Sequence, residues 1–151
     1  PGPAAGMTIT YTALLGPGAA SFVYTMTDST SASDTATVNV YRYKDTDADA
    51  VRDVSDNCTL VANANQLDTN GDGYGNFCDG DLNNSGTVTT ADFGLLRSVL
   101  GQPASFNATA AAADLNGSGT VTTADFGLLR RRLGLAPGPS GLACAGTVPC
   151  P

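Results

Sequence analysis

Polar and apolar positions alternate along the first 44 residues of the chain. Three segments rich in Thr, Val and Tyr carry the alternation: TITYTALL (residues 8–15), SFVYTMT (21–27) and DTATVNVYRY (34–43). Alternation with a period of two predicts β-strands with one buried face. Turn residues separate the segments, Gly-Pro-Gly at 16–18 and Asp-Ser-Thr-Ser at 28–31. The pattern therefore predicts a small antiparallel sheet.

Apolar positions follow a helical period in two segments further along the chain. In each segment they share one helical face, formed by Phe93, Leu96, Val99 and Leu100 in the first and by Phe126, Leu129 and Leu133 in the second. Thr90 and Thr123 are placed to cap the N-termini, and Gly101 and Gly134 to end the helices. The basic run at 130–132 is interpreted as a solvated helix end, with a docking patch as the alternative. Helices and sheet together predict an α+β fold.

The two helical segments belong to an internal repeat. Residues 81–101 (DLNNSGTVTTADFGLLRSVLG, the first copy) and 114–134 (DLNGSGTVTTADFGLLRRRLG, the second copy) differ at three of 21 positions. The differing pairs are Asn84/Gly117, Ser98/Arg131 and Val99/Arg132. In each copy a polar loop of 12 residues runs into the helix. The repeated unit is therefore a loop followed by a helix.

The acidic residues differ from those of an ordinary solvated surface. The chain has 14 of them, all Asp, against seven Lys and Arg and no His. Twelve of the 14 lie between Asp45 and Asp125. The formal charge of −7 argues against nucleic acid as a partner, because phosphate binding needs basic residues. Short carboxylates gathered in loops favour hard, oxygen-bound cations such as Ca²⁺.

Four segments of 12 residues place these oxygens in the register of a calcium loop: loop one (residues 45–56), loop two (68–79), loop three (81–92) and loop four (114–125). Side-chain oxygens occupy positions 1, 3, 5, 9 and 12, and position 7 offers its carbonyl. The predicted ligands are Asp45, Asp47, Asp49, Val51, Asp53, Asp56, Asp68, Asn70, Asp72, Tyr74, Asn76, Asp79, Asp81, Asn83, Ser85, Thr87, Thr89, Asp92, Asp114, Asn116, Ser118, Thr120, Thr122 and Asp125. Position 6 needs a sharp turn and is Gly in three loops, but Ala50 in loop one predicts a strained or weaker site. We expect about four Ca²⁺ ions.

Residues 45–79 carry further marks beside the acid spacing: Asn57-Cys58, Asn63, Gln66 and Cys78-Asp79. In these features they resemble a thrombospondin type 3 repeat. The resemblance implies a chain with little hydrophobic core, wound on calcium ions and stapled by a disulfide between Cys58 and Cys78. Such a disulfide would stabilise the fold by about 3 kcal/mol in the chain-entropy model. Without calcium we expect this stretch to be disordered, as acidic linkers are.

Residues 81–134 resemble a type I dockerin. The resemblance rests on the two loop-helix copies, with Asp92 and Asp125 at position 12 where a full EF-hand has Glu. It implies a middle helix in the linker at 102–113 and a cohesin-like protein as the partner. Ser85 and Ser118 replace the Asp that is usual at position 5, so we expect dissociation constants of roughly 10⁻⁵–10⁻³ M.

One part of this resemblance is weaker. Thr90-Ala91 and Thr123-Ala124 occupy the positions with which cellulosomal dockerins read their cohesin partner. Here these residues are short and neutral. Cohesin binding is therefore held as an alternative to self-association.

Residues 1–44 resemble the last strands of a bacterial Ig-like or cadherin-like sandwich, through their ending Tyr-Thr followed by Asp-Thr-Ala-Thr-Val-Asn-Val. An Ig-like sandwich takes about seven strands and ~100 residues, more than this segment offers. Three explanations stay open. The chain is a fragment of a longer one, the sheet packs on the calcium region in cis, or a strand from a neighbouring subunit completes it. Residues 1–15 are a plausible donor strand.

The four cysteines form an even set in a chain without His, which favours two disulfides in an oxidising compartment over a metal cluster. Cys144 and Cys150 enclose five residues, so a local disulfide is feasible. They lie in a Pro/Gly-rich tail, residues 135–151, in which Leu135 and Leu142 are expected to cover part of the helix pair. The predicted organisation is a β segment (1–44), a calcium repeat (45–80), a dockerin-like domain (81–134) and the tail (135–151).

Catalysis is not expected, because the chain has neither His nor Glu and twelve of its 14 Asp residues fall in the loops. We predict an extracellular or cell-surface calcium-binding structural protein of bacterial type and no enzyme, whose β segment joins subunits into a filament. The alternative is a dockerin-like attachment module at the C-terminus of a larger secreted protein. No apolar run reaches the roughly 20 residues needed to span a bilayer.

Overall fold

The computed structural model describes residues 18–151. The chain divides into two compact units, Pro1–Tyr43 and Lys44–Pro151. The predicted strand at residues 8–15 and the donor segment at 1–15 lie outside the described residues. The finer division of the sequence into four segments remains a prediction.

The first unit contains a β-hairpin. Strand β1 (Gly18–Thr27) pairs antiparallel with strand β2 (Ser33–Arg42), with Phe22 opposite Val38. The side chain of Asp28 closes the turn by accepting hydrogen bonds from the N–H groups of Thr30 and Ala32 and from the Thr30 hydroxyl. These bonds, those to Thr30 first, hold the pKa of Asp28 below its usual value. Within residues 18–43 the sheet has two strands, which agrees with the α+β class and leaves the Ig-like sandwich without further support.

The second unit carries three α-helices. They are α1 (Thr90–Ser98), α2 (Ala108–Ala113) and α3 (Thr123–Arg132). Helix α2 lies in the linker between the copies, where the resemblance to a dockerin implied a middle helix. None of the helices within residues 18–151 is long and apolar enough to cross a membrane.

The N-caps of α1 and α3 are Thr89 and Thr122, so the prediction of Thr90 and Thr123 was wrong by one residue. The reason is the position of the acid. In α1 the Thr89 hydroxyl accepts from the Ala91 N–H, while the Asp92 carboxylate accepts from the Thr89 N–H at 2.7 Å. This capping box needs the acid three positions after the cap, a spacing that Thr89 has and Thr90 lacks.

A small apolar core lies between the two copies. It consists of Val88, Leu96, Val99, Ala110, Ala113, Leu115, Val121 and Leu129, with Leu82, Phe93 and Leu128 packed against it. The predicted apolar faces are only partly buried, because Leu100, Phe126 and Leu133 are exposed. Leu100 and Leu133 follow the last helical residues, so they leave the helical period. Phe126 makes an edge contact with Phe93, with ring centroids 5.1 Å apart.

Backbone hydrogen bonds link the two copies to each other. In the second copy Val121 donates to the Gln102 carbonyl and accepts from the Gly101 N–H, at 2.9 and 2.8 Å. In the first copy Val88 makes the matching bonds to Leu135 and Gly134. Each loop is therefore bound to the segment that follows the helix of the other copy. These reciprocal hydrogen bonds hold the two copies together around the small core.

The tail takes a path that the sequence did not predict. Leu135 still donates to the Arg132 carbonyl of α3, but from residue 138 onwards four N–H groups of the tail bond to carbonyls of loops one and two: Gly138 to Cys78, Gly141 to Asp56, Gly146 to Asp72 and Cys150 to Gly71, at 2.7–3.0 Å. Leu135 is 55% exposed, and the expectation that it covers the helices was wrong. The loops carry little regular structure, so their carbonyls need other donors, and the tail supplies them.

Candidate calcium sites

All four loops turn in the left-handed region at the same two positions. Positions 4 and 6 have positive φ throughout: 64° and 75° at Ala48 and Ala50, 71° and 84° at Gly71 and Gly73, 55° and 89° at Asn84 and Gly86, and 65° and 89° at Gly117 and Gly119. The turn at position 6 was predicted and the one at position 4 was missed. Gly or Asn at position 4 in three loops was the available signal.

The first carboxylate of each loop points into the turn. Asp45, Asp68, Asp81 and Asp114 each accept the N–H of the residue at position 6. They also accept an N–H from position 4 in loops one and two, or from position 5 in loops three and four. The turn thereby fixes the carboxylate at position 1, the first predicted ligand of each loop.

In loops three and four the oxygens at positions 1, 5 and 7 come together. The Ser85 hydroxyl lies 3.1 Å from an Asp81 carboxylate oxygen and 3.1 Å from the Thr87 carbonyl oxygen. The Ser118 hydroxyl lies 3.3 Å from Asp114 and 3.1 Å from the Thr120 carbonyl. The hydroxyl at position 5 of each loop therefore lies within hydrogen-bond distance of the predicted ligand oxygens at positions 1 and 7.

Loop one brings carboxylates together most closely. Oxygens of Asp45, Asp47 and Asp49 all lie within 4.8 Å of one another. Both buried oxygens of Asp47, and one buried oxygen each of Asp56 and Asp92, lack a hydrogen-bond partner. Buried polar atoms normally find partners, and anionic ones are costly without them. One cation in loop one would satisfy the oxygens of Asp47 and Asp56, and another in loop three would satisfy that of Asp92, so the residues present fit Ca²⁺.

Position 12 is buried in every loop. Asp56, Asp79, Asp92 and Asp125 are at most 5% exposed. In loop three one Asp92 oxygen holds the Thr89 cap and the other is the unpartnered atom, whereas in loop four the second Asp125 oxygen accepts the Asn116 N–H at 3.1 Å. The last carboxylate thus joins each loop of the repeat to its helix.

Burial of like charges perturbs several of these groups. Burial raises the pKa of Asp79 to about 7, with the carboxylates of Asp72 and Asp81 adding to the rise. The pKa of Asp72 is raised mainly by burial, and that of Asp47 by burial and then by Asp49 and Asp56. Each rise expresses the cost of holding negative charge there. A divalent cation would offset that cost.

The residues at position 9 have other partners. Asp53 accepts from the Thr46 N–H and hydroxyl, both at 2.7 Å, and pairs with Lys44 at 2.8 Å, which lowers its pKa. Asn76 accepts from the Thr69 N–H and hydroxyl in the same way. In loops three and four the position-9 residues are the helix caps. The position-9 side chains therefore hold the loop closed or cap the helix that follows it. That they also bind calcium stays a prediction.

An amide network, whose roles the sequence did not predict, supports loop one. The Gln66 side chain donates to Asp56 at 2.8 Å and accepts from the Asn57 N–H at 2.9 Å. The Asn63 side chain donates to the Asn57 side chain, and its N–H donates to Asp49 at 2.8 Å. These amides orient two carboxylates of the site.

Both expected disulfides are present. Cys58 pairs with Cys78, and both residues are fully buried. Cys144 pairs with Cys150 inside the tail. The first disulfide joins the end of loop one to the end of loop two, and the second closes the segment that binds Gly71.

Comparisons with known proteins cover most of the second unit. Residues 79–134 match the family model of the dockerin type I domain, and residues 43–66 match that of the thrombospondin type 3 repeat. Most of loop two lies between the matched segments. Among solved structures, the type II cohesin-dockerin domain from Bacteroides cellolosolvens is 30% identical over 38% of this chain and 85% of its own, with a TM-score of 0.33. No curated protein matches the chain.

Both matched families consist of calcium-binding modules that support structure or attachment. Residues 79–134 are the two loop-helix copies with the linker helix, and residues 43–66 are loop one with its amide network. The chain therefore contains a type I dockerin-like repeat pair preceded by a thrombospondin type 3-like calcium repeat.

Proposed function

We propose that this chain is an extracellular attachment module that binds about four Ca²⁺ ions and docks onto a cohesin-like protein. The observation that carries the proposal is the match of residues 79–134 to the type I dockerin domain, with both loop-helix copies intact. Two disulfides and sites suited to millimolar calcium favour an extracellular setting.

The charge balance supports calcium as the ligand. The chain carries a formal charge of −7, and about four divalent cations would bring it near neutrality. Seven Asp side chains are at most 5% exposed, where negative charge is unfavourable without a partner. Each filled site would stabilise the fold by about 2.7 kcal/mol at a hundredfold calcium excess over its dissociation constant.

The helix N-termini offer a surface for the partner. Thr90, Ala91, Thr123 and Ala124 are exposed in both copies, above the buried carboxylates of position 12. Their short neutral side chains suit a partner surface that is also uncharged at this contact. Specificity there would come from shape and hydrogen bonds rather than from charge pairing.

Capture by immobilised cohesin domains tests the attachment function. We expect binding in calcium, loss of binding in EGTA, and loss in a variant carrying Thr90→Arg and Thr123→Arg. Ser105→Arg, an exposed residue between the copies, is the matched control and should bind normally. Calcium binding without capture by any cohesin would overturn the attachment function and leave the calcium sites standing.

Self-association into a filament is the second candidate. The observation that favours it is the hairpin of residues 18–43, a two-stranded sheet that exposes Val23, Met26 and Tyr41 by more than 60%. Two strands alone are marginally stable in water, so added strands would stabilise them. Size-exclusion chromatography and negative-stain imaging in calcium and then in EGTA separate the candidates. Polymers would support the filament, and a monomer in both conditions would exclude it.

A further inference from the structure

Two of the three differences between the copies lie where loop two packs. Val99 of the first copy is buried in the core, whereas its counterpart Arg132 is a partly buried basic residue. The Arg132 guanidinium donates to the carbonyls of Phe77 and Cys78 at the end of loop two. The interpretation of Arg132 as part of a solvated helix end was therefore wrong, because the side chain binds another segment.

The pair Asn84/Gly117 also lies at the contact with loop two. Asn84, which the second copy replaces with Gly117, accepts a hydrogen bond from the Asn70 side chain of loop two at 3.0 Å. Gly117 itself lies against the preceding repeat, since a Cβ there would be 3.5 Å from the Phe77 ring. The third difference, Arg131, is exposed. Arg132 and Asn84 thus bind loop two, Gly117 adjoins it, and Arg131 lies outside the contact and serves as a control.

Loop two also reaches loop four directly. The Asn76 side chain accepts from Thr69 within its own loop, and its amide donates to the carbonyls of Ala111 and Asp114, at 2.9 and 3.3 Å. Asp114 is the first residue of loop four. Asn76 is only 4% exposed, so these bonds are shielded from water. One side chain therefore ties the closure of loop two to the start of loop four.

The junction with loop three is equally tight. The Asp81 N–H, at the start of loop three, donates to the Asp79 carboxylate of loop two at 2.8 Å. Gly80 between them is buried, and a Cβ there would lie 2.8 Å from Leu129 and 3.1 Å from Val88. The end of loop two is thus packed on the core of the repeat pair.

We infer that loop two is the coupling element of the molecule: calcium in loop two raises the calcium affinity of loops three and four, and Arg132 transmits the effect. The inference rests on the proposed calcium binding. Closing loop two around a cation fixes Asn76 and the Phe77 and Cys78 carbonyls, which in turn hold the start of loop four and the end of α3. By thermodynamic linkage, calcium in the repeat pair strengthens loop two to the same extent.

A double-mutant cycle tests the coupling. Asp72→Asn removes a carboxylate from loop two, and calcium titration followed by the NMR amide signals of Gly86 and Gly119 reports loops three and four. We expect Asp72→Asn to weaken calcium binding there by at least about fivefold, the lower end of allosteric couplings. Combined with Arg132→Val, the residue of the first copy, Asp72→Asn should have a much smaller further effect.

The matched control is Arg131→Ser, which also restores the residue of the first copy but at an exposed position. It should leave the coupling at its wild-type value. Should Arg132→Val fail to fold, Asn84→Gly removes the bond to Asn70 by inserting the residue of the second copy, and it should reduce the coupling too. Equal behaviour of the Arg131 and Arg132 variants, or an unchanged titration after Asp72→Asn, would overturn the inference. Amide signals that ignore calcium altogether would overturn the calcium function itself.

Discussion

The two halves of the calcium-binding unit use the same loop but are stabilised by different means. In residues 44–80 the buried side chains are polar apart from one disulfide: Asp56, Asn57, Asn63, Asp72, Asn76 and Asp79. Residues 81–134 contain three helices and a core of eight buried apolar residues. A loop that binds a cation can therefore be supported by the cation and a covalent bond, or by hydrophobic packing.

Carboxylate content follows the same division. Loop one has five Asp at predicted ligand positions and loop two has three, whereas loops three and four have two each. More carboxylates bring stronger repulsion without the cation and stronger attraction with it. The first half should therefore depend on calcium more steeply than the second.

Calcium removal should produce the largest difference between the halves. Without ions in loops one and two, residues 45–79 lose roughly 5 kcal/mol, taking about 2.7 kcal/mol for each of two sites at hundredfold calcium excess. Hydrogen exchange measured in calcium and in EGTA should show these amides becoming unprotected first, with α1 and α3 keeping more protection. Restoring calcium is the control for reversibility. Equal loss in both halves would contradict the comparison.

Truncating a core side chain should instead destabilise the second half, residues 81–134. Leu129→Ala removes a fully buried side chain between the copies and should cost about 2–5 kcal/mol in the free energy of unfolding. Leu133→Ala is the control, because Leu133 is 50% exposed and its truncation should cost within about 0.5 kcal/mol. Urea denaturation followed by circular dichroism in saturating calcium measures both variants. Similar losses in the two would mean that the core does not hold this half together.

Sequence patterns predicted the parts of the molecule that rest on side-chain spacing. The spacing of the Asp residues located the loops, and the helical period of the apolar residues located α1 and α3 within one or two residues. The tail escaped prediction because its contacts with loops one and two are largely backbone hydrogen bonds, which any sequence can make. Arg132 escaped because a basic residue at a helix end is ordinarily solvated. The cap Thr89 was missed because its neighbour Thr90 is the same residue type, and only the spacing to the capping acid Asp92 distinguishes the two.

Adding a carboxylate to a loop of the second half should make its calcium binding more like that of the first half. Ser118→Asp gives loop four the acid that position 5 has in loops one and two. We expect its calcium affinity to rise roughly tenfold, because charge count among the ligands tunes such loops. Ser118→Asn, similar in size but neutral, is the control and should change affinity much less. Isothermal titration calorimetry would measure both, and equal affinities would show that loop four is limited by geometry instead of charge.

Relieving backbone strain in loop one should give the smallest effect. Ala50 has a φ of 75° where the other loops have Gly, and a left-handed residue with a Cβ costs about 1–2 kcal/mol. Gly also loses more entropy on folding, so Ala50→Gly should stabilise calcium-bound loop one by a net ~0.5–1 kcal/mol. That corresponds to about two- to fivefold tighter calcium binding. Gly119→Ala is the reverse change at the same position of loop four, where an added Cβ meets no atom within 4 Å, so it should weaken binding through backbone strain alone. If Gly119→Ala weakens calcium binding by loop four but Ala50→Gly leaves that of loop one unchanged, the three neighbouring carboxylates of loop one, rather than its turn, would set the affinity.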